Sequence, residues 1–192
     1  MLARDTSKDG LGAALVSVGS GAKLLVANPG ADLTPDANDR MVAPHYGTTG
    51  GYFVNYDSIN GFKAATYNRT DDVDNAVSGD VVKISADNTL TQNVTLYALA
   101  ATSSYSAHED INGAAYTITI ESGGLSSHSR NLSPHCDASV DFGAVEGVVN
   151  IGPGGTYSLG GDVLGSAGLT KIGSGTLNLS GGDDKSYRIG GN

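Results

Sequence analysis

The sequence predicts an all-β chain organised as a β-solenoid, and three observations support this fold class. Glycine supplies 28 of the 192 residues, about twice its usual share of roughly 7%. The good helix formers Glu and Lys are scarce, with 3 and 6 copies, whereas Gly and Asp, which are poor in helices, are plentiful. The third observation is a short sequence repeat near the C-terminus with a period of about 20 residues.

Composition and charge exclude several classes of protein. There is no Trp, a single Cys and no long apolar run, which excludes a transmembrane helix, a disulfide framework and a Cys-x-x-Cys metal site. The formal net charge is −9 and the sequence pI is near 4.6. Such a surface repels a phosphate backbone and an anionic membrane, so we expect neither nucleic-acid binding nor membrane insertion.

Residues 1–80 are predicted to form a mixed region of short strands and loops. Residues 51–56 are rich in aromatic and β-branched side chains, and Asn60-Gly61 then indicates a tight turn before another strand. Residues 11–18 and 24–26 are two further apolar segments that could form short strands. We expect this region to cap one end of the solenoid.

Residues 81–192 have a different sequence pattern, in which short apolar segments predicted to be strands recur between turns of Gly, Asn, Asp and Ser. In one of them Tyr116, Ile118 and Ile120 alternate with polar residues, the pattern of a half-buried strand. The predicted strands cover residues 81–84, 89–91, 94–99, 116–121, 148–151, 156–159, 169–172 and 176–179.

Two segments of this region repeat each other. NIGPGGTYSLGG (residues 150–161) aligns with KIGSGTLNLSGG (residues 171–182) when one residue is gapped, and residues 83–93 form a weaker third copy. The alignment matches Ile151 with Ile172 and Leu159 with Leu179. A period near 20 residues is typical of a solenoid coil, whose apolar face is buried only when neighbouring coils stack on it.

A β-sandwich is the alternative fold, because it also has short strands with frequent turns. We favour the solenoid, since the repeat lies in the residues themselves and not only in the hydrophobic pattern.

Residues 166–181 (SAGLTKIGSGTLNLSG) resemble the autotransporter-associated β-strand repeat, whose pattern is roughly G-x-G-G-L-T-K-x-G-x-G-T-L-x-L-x-G. The resemblance extends over about residues 40–182 and is densest at 147–182. After Gly182 the chain departs from the pattern, so we expect a fragment, a truncated gene product or a subunit that reuses the coil, and not a complete autotransporter. The positions that we assign to the structural repeat are Ile151, Gly152, Gly154, Leu159, Gly168, Leu169, Lys171, Ile172, Gly173, Gly175, Leu177 and Leu179.

This resemblance implies a right-handed parallel β-helix in a bacterial protein that is secreted or held at the cell surface. The family's role is structural, as a stalk, adhesin or scaffold, and no catalytic residue accompanies the motif. We therefore expect a non-enzymatic, extracellular structural or adhesive segment without a cofactor or metal ion. Its expected partners are further coils of the same polypeptide or another copy, bound through the solenoid ends, and a glycan or host surface.

Three other constellations were weighed against this interpretation. His135-Cys136 is the only adjacent pair of soft metal ligands, but neighbours on a strand point to opposite faces. The acidic run at residues 71–74 could bind Ca²⁺, although a solvated loop is the simpler explanation. A glycan-processing β-helix enzyme would need charged residues brought together on a groove, the candidates being Asp80, Lys83, Arg130, Asp137 and Asp141.

A self-assembling subunit of an extracellular filament or virion appendage remains a second alternative. It would use the same unpaired strand edges at the ends of the solenoid. The end formed by residues 169–179 has no evident cap in the sequence.

Overall fold

The computed structural model describes residues 14–16, 23–27, 30–102, 109–128, 133–180 and 187–189. The regular elements in these ranges are β-strands and one 3₁₀ turn, Ala31–Leu33. Within the described residues, no helix is long and apolar enough to cross a membrane. In chain order the strands are β1 (Ala14–Val16), β2 (Tyr46–Thr48), β3 (Val54–Asp57), β4 (Gly61–Ala64), β5 (Arg69–Thr70), β6 (Val81–Ile84), β7 (Asn88–Thr89), β8 (Val94–Ala101), β9 (Ile111–Asn112), β10 (Thr117–Ser127), β11 (His135–Cys136), β12 (Ser139–Asp141), β13 (Gly147–Ile151), β14 (Thr156–Leu159), β15 (Val163–Gly165), β16 (Leu169–Ile172), β17 (Thr176–Leu179) and β18 (Tyr187–Ile189).

From β5 onward the described strands form a parallel β-solenoid of about four turns, with three stacks of strands. The first stack contains the beginnings of β8 and β10, then β12, β15 and β18. The middle stack contains β5, β6, the ends of β8 and β10, then β13 and β16. The third stack runs from β7 through β9, β11 and β14 to β17. Every pairing within the stacks is parallel, so the antiparallel sandwich is wrong for this part of the chain.

Two long strands join the first and middle stacks. β10 pairs with β8 along both of its halves, with a shift in register between Ile120 and Gly124. Its first half then pairs with β12 and its second half with β13. The irregularity bends the strand, so one continuous segment contributes to two faces of the coil.

The apolar residues of successive coils lie directly over one another. Ile118 is flanked by Val94 on one side and Val140 on the other, and all three side chains are buried. One continuous core extends from Val73 to Val163 in this way. Burying a Val, Leu or Ile side chain contributes about 1.5–3 kcal/mol, so the stacking of coils is the main stabilising contact of the solenoid.

The N-terminal region forms a separate small unit on the side of the solenoid. Strands β3 and β4 make an antiparallel hairpin through the predicted turn at Asn60-Gly61, and β1 pairs in parallel with β2. Of the two predicted N-terminal segments, residues 24–26 are not a strand, and only residues 14–16 of the segment 11–18 are described. The unit has its own core, made of Leu33, Val42, Val54 and Tyr56.

This lateral unit, residues 30–67, packs on the outer surface of the middle stack. Met41 and Phe53 contact the outward-facing Val81, Ala98 and Ala100 in a second buried cluster. Small residues on that surface let the unit approach closely. The first coil itself is closed by a different segment, residues 68–80, whose Val73 and Ala76 belong to the solenoid core.

We predict that Gly124→Val will loosen the lateral unit. A Cβ at Gly124 would lie 2.8 Å from the Cβ of Pro44 and 3.2 Å from Cε1 of Phe53, and overpacking of this kind costs about 1–3 kcal/mol. Denaturant unfolding should show the loss. Gly30→Val is the matched control, because a Cβ there meets no atom within 4 Å. Equal stability of the two variants would contradict the close packing described here.

Candidate assembly site at the last described coil

The candidate site is the coil formed by β15, β16 and β17, which contains the repeat residues from Gly168 to Leu179. β16 pairs only with β13, and β17 only with β14, among the strands that the structure describes. The first stack continues one strand further, since β18 pairs with β15. Two strand edges of this coil therefore have no described neighbour, and such edges are ready to pair with another strand.

The third stack confirms part of the predicted alignment of the repeat. Tyr157 lies beside Leu177, and Leu159 lies beside Leu179, 20 residues apart. Both Tyr157 and Leu159 are fully buried, and Leu177 packs against the same core.

The predicted match of Ile151 with Ile172 is wrong. The structure pairs Ile172 with Asn150, 22 residues earlier. A shift of one residue moves a side chain to the other face of a strand. Ile151 is accordingly buried in the core, whereas Ile172 lies on the outer face and is half-buried. Partners in the middle stack are 22 residues apart here, and partners in the third stack are 20 apart. The turn between β16 and β17 accommodates this difference of two residues.

Glycines of the repeat allow the backbones of neighbouring coils to touch at this turn. Gly173 has a φ of +76°, and a Cβ there would lie 2.1 Å from the carbonyl oxygen of Ile151. A Cβ at Gly175 would lie 2.4 Å from the carbonyl oxygen of Gly152. Gly154 and Gly168 also occupy turns with positive φ. The glycine pattern seen in the sequence is therefore a pattern of close coil contacts and turns.

The exposed side of this coil carries partly uncovered apolar side chains. Leu159 is 1% exposed, whereas Leu179, one coil further, is 39% exposed. Leu169, Ile172 and Leu177 are half-buried. Lys171 lies beside Val149 in the register and is itself exposed, with its Nζ donating to the carbonyl oxygen of Gly173 at 2.8 Å. The surface combines half-buried Leu side chains, one cation and unpaired strand edges.

His135 and Cys136 do not form a joint metal site. Cys136 faces the core, where burial raises the pKa of its thiol to about 12. His135 lies on the outside, with its Nδ1 3.3 Å from the Oδ1 of Asp137. Within the described ranges no group of three or more His, Cys, Asp or Glu side chains could hold a metal ion.

The acidic run at residues 71–74 is bound to the first coil. Asp71 accepts hydrogen bonds from the backbone N–H groups of Ser85 and Ala86, at 2.5 and 3.2 Å. Asp74 accepts from the N–H and the hydroxyl of Thr91, at 2.6 and 2.7 Å. These carboxylates are acceptors for a strand end, a role that sequence reasoning missed. Their partners lie 14 and 17 residues further along the chain, so no local pattern indicates this role.

The charged residues considered for an enzyme are not brought together in the part of the chain described. Asp80 is held by Arg69 and Asn68, at 2.8 and 2.5 Å. Asp141 lies in the first stack and accepts from the N–H of Gly143, while Asp137 follows a strand of the third stack. Arg130 lies outside the described residues, and Lys83 lies in β6 of the middle stack.

Comparison with known proteins adds no relative: no family model matches the chain, and neither a curated protein nor a solved structure is similar to it. Membership of the autotransporter-associated repeat family therefore stays a prediction from residues 166–181.

We predict that Leu159→Ala and Leu179→Ala will differ sharply in cost. Leu159→Ala leaves a cavity in the core and should lower the free energy of unfolding by about 2–5 kcal/mol. Leu179→Ala removes a partly exposed side chain from a coil with one described neighbour, so at most about 1 kcal/mol is expected. Denaturant unfolding at low protein concentration measures both. Equal losses would mean that Leu179 is covered in solution.

The carboxylates at the first coil predict a loss of stability in acid. Hydrogen bonds from the Thr91 backbone and hydroxyl lower the pKa of Asp74 below its usual value of 3.8. A lowered pKa means that the stabilisation is present above pH 3.8 and is lost as the pH falls through the folded-state pKa. Asp74→Asn should therefore lower the melting temperature at pH 6, and the difference from the parent should shrink below pH 3.8. A difference that is independent of pH would contradict this role.

Proposed function

We propose that this chain is a structural or adhesive β-solenoid segment of a bacterial surface protein, without enzymatic activity. The observation that carries the proposal is the continuous core from Val73 to Val163, built from parallel strands in register. Each coil adds about 4.8 Å along the axis, so the stack is a short rod of defined length. The turns between strands are free to carry loops of variable sequence.

The location outside the cell is supported by the resemblance of residues 166–181 to a repeat of secreted bacterial proteins. It is also consistent with a net charge of −9 and with sparse use of cysteine, a single residue that is buried here. A polar outer face, such as Thr95 beside Thr119, suits a surface that contacts water, a glycan or a host molecule.

The partner that fits best is another coil, supplied either by the same polypeptide or by a second copy. β16 and β17 show how a coil of the same polypeptide binds: its strands add in parallel and its Leu-x-Leu pair covers the apolar pair below. Leu177 and Leu179 present that pair to the next layer. Main-chain pairing supplies affinity, and the alternate Leu side chains supply register.

The filament subunit remains the alternative, and it needs two open ends. Residues 68–80 cover the first coil with Val73 and Ala76, which weighs against growth from that end. A polysaccharide-processing enzyme is the other alternative. It has no assembled acid–base pair among the described residues to support it, and a panel of acidic and neutral polysaccharides tests it directly, since specific depolymerisation would overturn the structural proposal.

We predict reversible self-association through the last coil. Sedimentation of the whole chain should show a mass that rises with concentration, because half-buried Leu residues and strand edges gain partners. Leu179→Lys places a charge in that surface and should abolish the rise. The matched control is Leu25→Lys, which changes an exposed Leu of the N-terminal region. A wild-type chain that is strictly monomeric, or one that responds equally to both substitutions, would count against the site.

A second measurement addresses location. Limited proteolysis of intact cells of the native source should remove the protein while a cytoplasmic marker survives. Protection of the chain until the cells are broken would contradict a surface role.

A further inference from the structure

The first coil is covered by residues 68–74: the two-residue strand β5 pairs in parallel with β6, and side-chain acceptors lie on either side of this pairing. The side-chain oxygen of Asn68 accepts from the N–H of Val81 at 2.8 Å, and Oδ1 of Asp71 accepts from the N–H of Ser85 at 2.5 Å. Val81 begins β6 and Ser85 directly follows it. These two donors therefore lie at the two ends of the first long strand of the middle stack.

The next coil shows what these donors would otherwise bind. Ala98 is the register partner of Val81, and its N–H donates to the backbone carbonyl of Asp80 in the coil before it, at 3.3 Å. Thr102 follows the partner of Ile84, and its N–H donates to the carbonyl of Ile84 at 2.8 Å. Asn68 and Asp71 thus occupy the acceptor positions that the carbonyls of a preceding coil would fill.

The backbone of the same segment is shaped for this contact. Asp71 has a φ of +52°, in the left-handed region that Asp tolerates better than most residues. The turn aims its carboxylate back at β6 while Val73 and Ala76 enter the core. Asp74 satisfies the N–H of Thr91, just after β7. One short segment covers both the polar edge and the apolar end of the first coil.

Two remote side chains hold the end of the segment in place. Glu121, in β10, accepts from the hydroxyl of Ser78 at 2.7 Å and from the N–H of Gly79 at 2.9 Å. Arg40, from the lateral unit, donates to the carbonyl of Gly79 and is itself paired with Asp36 at 3.0 Å. Because Glu121 lies two coils away, the segment is tied across the stack.

We propose that residues 68–80 are an intramolecular stopper that prevents the last coil of a second copy from docking on the first coil. The stopper and a docking coil would compete for the edge of β6 that β5 pairs with, for the donors Val81 and Ser85, and for the same apolar end. Head-to-tail growth into a filament is therefore blocked, and copies meet only through their last coils. Two copies related in that way run their facing strands in opposite directions and form a closed dimer. This consequence rests on the proposed association through the last coil.

The test opens the stopper and measures how far assembly proceeds. The variant Asp71→Ala/Asp74→Ala removes the acceptors for Ser85 and Thr91. We expect its mass to grow with concentration without a plateau, with filaments visible by electron microscopy, whereas the wild-type chain stops at about twice the monomer mass. Asp57→Ala is the matched control, because Asp57 accepts from the N–H groups of Ile59 and Asn60 in the distant hairpin turn. It should leave the wild-type mass unchanged.

Leu179→Lys separates ordered growth from aggregation. Added to the double variant, it should abolish growth, because head-to-tail contact needs the last coil. Growth that survives this substitution would arise at another surface and would overturn the proposal. A folded double variant that keeps the wild-type mass would overturn it as well, as would open-ended growth of the wild-type chain. A further outcome is that the wild-type chain is monomeric while the double variant grows and Leu179→Lys abolishes this growth. That outcome would support the stopper and refute self-association of the native chain.

Glu121→Ala is the second variant, and it decides the question if the double variant does not fold. It releases Ser78 and Gly79 while leaving every acceptor of the stopper in the chain. The same Leu179-dependent growth is expected at higher concentration than in the double variant. A folded Glu121→Ala chain with wild-type mass at all concentrations would then overturn the proposal.

Discussion

Each coil of this protein buries its apolar residues only against the coils on either side, and the rest of the structure depends on that constraint. Ile118 is covered because Val94 and Val140 lie next to it in neighbouring coils. A coil with one neighbour is therefore only half covered, and its strand edges lack partners on one side. The two ends of the described stack meet this problem in different ways.

At the first coil, β5 pairs with β6, short polar side chains accept from the N–H groups at the two ends of β6, and Val73 closes the core. At the last described coil, Leu179 is left partly uncovered. The lateral unit contributes to the side of the rod and, through Arg40, to the closed end. The resulting molecule is asymmetric along its axis, with one end sealed by its own chain and one end suited to another coil. That asymmetry favours a terminal or stalk-like segment over a subunit that grows from both ends.

Much of the solenoid could be predicted from local pattern. The strands at 81–84, 156–159, 169–172 and 176–179 have the bounds expected, because each is a short segment with two or three apolar residues between turn residues. The two-residue strands β9 and β11 were missed, since Ile111 and Cys136 give no alternation to detect. The match of Ile151 with Ile172 failed because the alignment gaps only one residue, whereas the connection from the middle stack to the third, counted between register partners, is two residues shorter after β16 than after β13.

By itself the sequence determined the β class, the stacked-coil architecture and the role of glycine in its turns. Composition and repeat period can be read from the residues directly, without knowing which residues are in contact. Only the tertiary structure decided the register of each stack, the lateral position of the N-terminal unit and the use of Asp71 and Asp74 as acceptors for the first coil. These depend on which distant backbone groups lack a partner after the coils have stacked. Such a requirement exists only in the folded chain, so no residue pattern could state it in advance.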